Sequence, residues 1–100
     1  MALFAVISEQ GPSWNPTRSM RDQEGWAEHA AFMNALVDER VVVLGGPLRK
    51  GPRHRALLVR RAPDENSLRI RLDEDPWMRS GILQMGELLP WELLLGELKA

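Results

Sequence analysis

A helical stripe set between short runs of strand-forming residues is the feature that most restricts how this chain can fold. Trp26, His29, Ala30, Met33, Leu36 and Val37 recur at spacings of three and four, which is the period of one helix face. The acids Asp22, Glu24 and Glu28 fall in the N-terminal half, where the helix dipole favours negative charge. A helix is therefore predicted from Ser19 or Asp22, both good N-cap types, to about Asp38. Before it, Leu3–Ile7 is an apolar run ended by Gly11-Pro12, and reads as the first strand. After it come Val41–Leu44, closed by Gly45-Gly46-Pro47, and Ala56–Val59. These two read as a hairpin whose tip, from Leu48 to Arg55 with Gly51-Pro52 inside it, is basic.

Pro63-Asp64 looks like a second helix start, with Asp64 as the cap and Leu68 and Leu72 one turn apart. Leu68, Ile70 and Leu72 also alternate as a strand would; helix is the preferred reading. Pro76 disfavours the helical conformation for Asp75, so the element is expected to end there, with Trp77–Gly81 as a turn. The tail from Ile82 to Leu95 reads as a last strand with Leu83, Met85, Leu89, Trp91 and Leu93 on one parity. Pro90 cannot donate to a ladder, which puts it at an edge or a bulge. The order is β-α-β-β-α-β, a ferredoxin-like α+β fold with two helices on one face of an antiparallel sheet. One domain over residues 1–100 is expected.

At 100 residues the chain buries only a modest core, so self-association is plausible. Apolar residues at 44% and charged residues at 27% suit a folded soluble domain and give no membrane span. Thirteen basic against fourteen acidic side chains leave a net charge of −1, which supplies no field for nucleic acid or an anionic membrane surface. Cysteine is absent, removing disulfides, thiolate catalysis and thiolate zinc sites. Met1–Ser8 lacks the basic and long apolar regions of a signal peptide, and a cytoplasmic protein is expected. Two histidines far apart, with no paired ligand spacing, give little to hold a metal, and no cofactor is expected. The basic segment around Arg49, Lys50, Arg53, His54 and Arg55 reads as a solvated hairpin end. A nucleic-acid surface would interleave aromatics, and none lies between Arg49 and Arg61.

The candidate chemistry is a histidine and an aspartate. His29, on the apolar stripe, is either a core residue with a satisfied hydrogen bond or an imidazole that faces a pocket and carries a proton near neutral pH. Asp75 is one of three successive acids, but Pro76 constrains its backbone so that the carboxylate can turn inward and orient the imidazole. Trp14 lies among turn residues in a loop long enough to cover a substrate. Gly46 and Pro47 end a strand where backbone could approach a ligand. Trp77 follows the constrained Asp-Pro pair. These four are the candidate substrate contacts.

The helix Trp26-Ala27-Glu28-His29-Ala30-Ala31-Phe32-Met33, the Gly45-Gly46-Pro47-Leu48 segment, Asp75-Pro76-Trp77 and the closing Leu89-Pro90-Trp91 together resemble the YciI-related (YCII) family over nearly the whole chain. The resemblance implies a fold of the dimeric α+β barrel superfamily, a homodimer, and an active site in which His29 and Asp75 occupy the family's histidine and aspartate positions. It also implies lyase or dehydrochlorinase-like chemistry on small ring compounds. The expectation is a cofactor-independent enzyme in which the dyad drives elimination or isomerisation of a small cyclic substrate, an anion being one expectation, with the charge left open by the basic tip. A binding or regulatory module that keeps the pocket without turnover is the alternative. A cofactor-free monooxygenase is a further one, by analogy of fold alone.

Overall fold

In the computed structural model, which describes residues 2–98, four strands form one antiparallel sheet. They are β1 (Ala2–Gln10), β2 (Val42–Leu48), β3 (Arg55–Ala62) and β4 (Leu83–Pro90), in the order β2-β3-β1-β4. The helices are α1 (Trp26–Asp38), α2 (Glu65–Leu72) and the short α3 (Pro76–Ser80). The chain thus has the ferredoxin-like order read from the sequence, with a third helix added.

Pairing register decides which side chains meet the helices. Phe4, Val6 and Ser8 of β1 stand opposite Arg60, Leu58 and Ala56 of β3, and this row faces inward. Phe4, Val6, Ala62 and Leu88 pack there against Leu68 and Leu72 of α2. A helix, and not the competing strand, thereby brings both leucines to the core, where each buried side chain contributes about 1.5–3 kcal/mol. Ile70 points to solvent. On α1, Leu36 is fully buried while Val37, at the margin of the stripe, is exposed. Ala5, Ile7, Leu57 and Val59 lie on the opposite sheet face. Leu44 and Leu89 stand beside them at 52% and 47% exposure, so the middle of the outer face carries an apolar patch, with Glu9, Arg55, Arg61 and Glu87 around it.

Four boundaries differ from expectation, each for a local reason. Helix α1 starts at Trp26, because Gly25 takes a left-handed conformation (φ 78°) and Met20–Asp22 closes separately as a 3-10 turn. Strand β2 runs on through Gly45-Gly46-Pro47 to Leu48, paired with β3. Helix α2 stops at Leu72, and the expected turn after Pro76 is α3, with Asp75 as its N-cap and Gly81 (φ 83°) closing it. Strand β4 ends at Pro90, on the edge of the sheet, and its parity breaks midway: Ser8 pairs with Met85 but Ile7 with Glu87. Gly86 occupies this bulge, where a Cβ would press on the Ile7 carbonyl at 3.0 Å. Leu83 and Met85 therefore share the inner face with Leu88, and Leu89 points outward. Trp91, Leu93, Leu94 and Leu95 lie beyond the sheet and are exposed.

The loop from β1 to α1 is tied down by one buried side chain. The Gln23 amide donates to the carbonyls of Asn15 (2.8 Å) and Arg18 (3.1 Å), and its oxygen accepts from the Asn15 N–H (2.9 Å). Gln23→Ala strands these backbone groups. It is expected to lower unfolding stability by about 1–3 kcal/mol, read as a fall in the denaturant midpoint at unchanged slope.

Candidate active site

Asp75-Pro76-Trp77 is built as N-cap, N1 and N2 of α3. Proline is favoured at N1, where no hydrogen bond from its nitrogen is required, and it holds the preceding residue extended; Asp75 has φ −63° and ψ 125°. In that conformation its Oδ1 accepts the Trp77 backbone N–H at 2.9 Å, and the carboxylate is carried inside, at 3% exposure. A carboxylate can accept several hydrogen bonds at once. The remaining capacity goes to His29, whose Nδ1 lies 2.9 Å and 3.0 Å from the two oxygens. Since a carboxylate only accepts, Nδ1–H is the donor, and the neutral ring keeps its lone pair on Nε2. The structure thus joins His29 of α1 to Asp75 across 46 residues.

Trp77 fixes the imidazole from the side. Its ring is stacked on His29, centroids 4.0 Å apart and planes within 6°. Its indole N–H donates to the Glu24 carbonyl at 2.8 Å, beside the left-handed Gly25, where a Cβ would sit 3.5 Å from Nε1. The start of α1 is therefore clamped to α3. Trp26 leans against both rings at 5.6–5.9 Å.

His29, Asp75 and Trp77 border a cavity of about 250 Å³. Its walls include Met20, Met33, Leu58 and Met78. An apolar cavity of about 150 Å³ already holds benzene, so this one suits a single substituted ring. Gly46 and Pro47 of β2 also line it. Gly45 lines it too, and a Cβ there would press on the Leu58 side chain and on the Leu57 carbonyl at 3.1 Å. Trp14 is not among the lining residues. It stands one layer behind, stacked on His54 at 4.6 Å with planes 11° apart and edge-on to Trp77 at 6.2 Å.

Two lining residues were not legible as site residues. His54, assigned to a solvated tip, faces the cavity; burial, and secondarily the nearby His29, lowers its pKa below the usual 6.5. Arg60, one residue past the strand expected over Ala56–Val59 and inside β3, is 2% exposed, and burial pushes its guanidinium down to about 10 against the raising influence of Asp75. It stays protonated at neutral pH. The available signal was strand parity, since Ala56, Leu58, Arg60 and Ala62 alternate onto one face. Among the described residues no group of three or more histidines, aspartates and glutamates converges as a metal site would require, and no helix is long and apolar enough to cross a membrane.

No family model matches the sequence, and no curated protein matches it. Among solved structures the fold is similar to that of 5-chloro-2-hydroxyhydroquinone dehydrochlorinase (TftG) from Burkholderia phenoliruptrix AC1100, in complex with 2,5-dihydroxybenzoquinone. The match has a TM-score of 0.61, covers 94% of this chain and 95% of that one, and carries 17% sequence identity. The likeness is one of fold.

The geometry around His54 has a measurable consequence. In an NMR titration its ring should show a midpoint below 6.5, and Trp14→Ala, which uncovers the ring, should move that midpoint upward. Because the fold disfavours the charged ring, the unfolded chain takes up this proton first as pH falls. His54 therefore costs stability as pH drops through the window below 6.5, and His54→Gln should make stability less sensitive to pH there.

Proposed function

We propose that the cavity is the active site of a small acid/base enzyme of the lyase or isomerase type, acting on a compact cyclic compound. The observation that carries this reading is the His29–Asp75 pair: a buried carboxylate held by its own helix cap, bonded to an imidazole whose second nitrogen is left for the cavity. His29 Nε2 takes a proton from an acidic O–H or C–H of the substrate, and Asp75 stabilises the imidazolium that results. In an elimination, the electron pair left behind moves into the ring, the leaving group departs with its bonding pair, and the imidazolium passes its proton to water. In an isomerisation, the imidazolium returns the proton to another ring atom. Neither route calls on a redox cofactor. The fold shared with a dehydrochlorinase that holds a dihydroxybenzoquinone supports substrates of hydroxylated-ring type, and supports placing the chain near the YciI-related family.

Chlorinated hydroxyhydroquinones and small cyclic ketones are the substrates with which to begin, following chloride release and loss of ring protons in D2O. His29→Gln and Asp75→Asn should each lower the rate by about 10²- to 10⁴-fold. Asparagine caps a helix as well as aspartate does, so the second variant should keep its melting temperature while losing turnover. Full activity in either variant refutes the dyad. Tight binding by the wild-type protein with no exchange or release would assign the cavity to a binding module.

We also propose a homodimer formed through the outer face of the sheet. Ala5, Ile7 and Leu57 form its centre, Leu44 and Leu89 are half-exposed beside them, and an apolar patch of this kind favours a partner. Light scattering at micromolar concentration should give twice the mass of the chain, and Leu44→Glu should halve it. A well-folded wild-type monomer would rule the dimer out.

A further inference from the structure

Strand β3 brings to the cavity a charge that the dyad does not explain. Ala56, Leu58 and Arg60 occupy alternate positions on the inward face, and all three line the cavity. The Arg60 Nε and Nη1 atoms are sealed from solvent and have no hydrogen-bond partner among the described residues. A buried cation left in this state is costly, and native proteins nearly always supply a partner.

The neighbouring charged groups do not provide one. Asp75 favours the guanidinium at a distance, but its oxygens are bonded to His29 Nδ1 and the Trp77 N–H. Arg71 of α2 opposes it and is itself held by Glu39 and Glu74 at 2.8 Å. Arg60 thus keeps its charge and its donors in the wall of a mostly apolar cavity that Ser8, His29 and His54 also line. A ligand meets the two sealed nitrogens by displacing the side chains that cover them. A guanidinium presents coplanar paired donors, and the matching acceptor is a planar pair of oxygens with negative charge.

We propose that Arg60 is the anion-binding residue of this cavity, and that the compound taken up is a planar ring bearing an oxyanion, either a carboxylate or a ring enolate, which the Arg60 guanidinium pairs with while the ring lies in reach of His29. This rests on the proton-transfer reading of His29 and Asp75 and adds the substrate's charge. The role also fits the chemistry: proton removal places negative charge on the ring, and a fixed cation in a dry site stabilises it more than water would.

Calorimetric titration with benzoate, its neutral isostere benzamide, and squarate as a ring enolate tests the assignment. Wild-type protein should bind at least one of the two anions about 10- to 100-fold more tightly than benzamide, the advantage of a charge-assisted hydrogen-bond pair. Benzoate ahead of squarate marks a carboxylate ligand, and the reverse marks a ring enolate. Arg60→Met should abolish the preference while matching or exceeding the wild-type melting temperature, because it removes an unpaired buried charge. Arg60→Lys, with a point charge and no fork, should keep only part of it. In the wild-type protein the Arg60 Nε–H resonance should shift with the preferred anion and not with benzamide, a readout independent of how the variants fold. His29→Gln should retain the anion preference even as it loses turnover, so a failure of the dyad leaves this result standing. Equal affinity for the anions and benzamide, no binding by either anion, an unmoved Arg60 resonance, or a preference that survives Arg60→Met would each overturn the proposal.

Discussion

The Asp75 carboxylate is the constraint on which the rest of the site depends, because it satisfies a backbone donor and a side-chain donor at once. Capping α3 holds it rigidly with respect to the backbone, and the His29 bond then transfers that rigidity to a helix far away in sequence. An aspartate on a flexible loop would have to lose rotamer freedom to orient an imidazole. Here proline and the cap have already removed it. Trp77 completes the arrangement: its backbone receives the cap, its indole N–H fastens the entry to α1, and its ring covers one face of the imidazole. Three residues in a row thus position a histidine that none of them is near in the chain.

Around this anchor the cavity balances charge without filling it with polar groups. Asp75 is negative and hydrogen-bonded, Arg60 is positive and sealed, and the two imidazoles stand between an aromatic layer and methionine-rich walls. Methionine adapts its shape to a ligand at low cost, whereas the stacked Trp77–His29 and Trp14–His54 pairs fix the ring planes. One side of the space is adjustable and the other is set.

Much of this was legible in the sequence where the physics is local. The helical period of Trp26, His29, Met33 and Leu36 placed His29 inward, and the Asp-Pro pair singled out Asp75 from its acidic neighbours, because cap and proline effects act within three residues. Where the outcome depends on distant partners, local signals failed. Ser19 and Asp22 are good caps, yet Gln23 folds the loop onto Asn15 and Gly25 delays the helix to Trp26. The period of β4 reads as continuous, yet a bulge at Gly86, set by the Ile7 carbonyl, reverses it before Leu89. His54 looked like part of a basic, solvated tip, and Arg60 fell one residue past the strand expected over Ala56–Val59. What buries them is the depth of the cavity between α1 and the sheet, and no short window of sequence contains that information.

Trp77 stands 6.2 Å from Trp14 and 5.6 Å from Trp26, with His29 stacked on Trp77 and His54 on Trp14, while Trp91 is on the exposed tail. Indoles this close exchange excitation energy, and imidazolium is an effective quencher of indole emission. The intrinsic fluorescence and near-ultraviolet dichroism of this protein therefore report chiefly on the cavity, and the fold carries its own optical probe of whatever enters it.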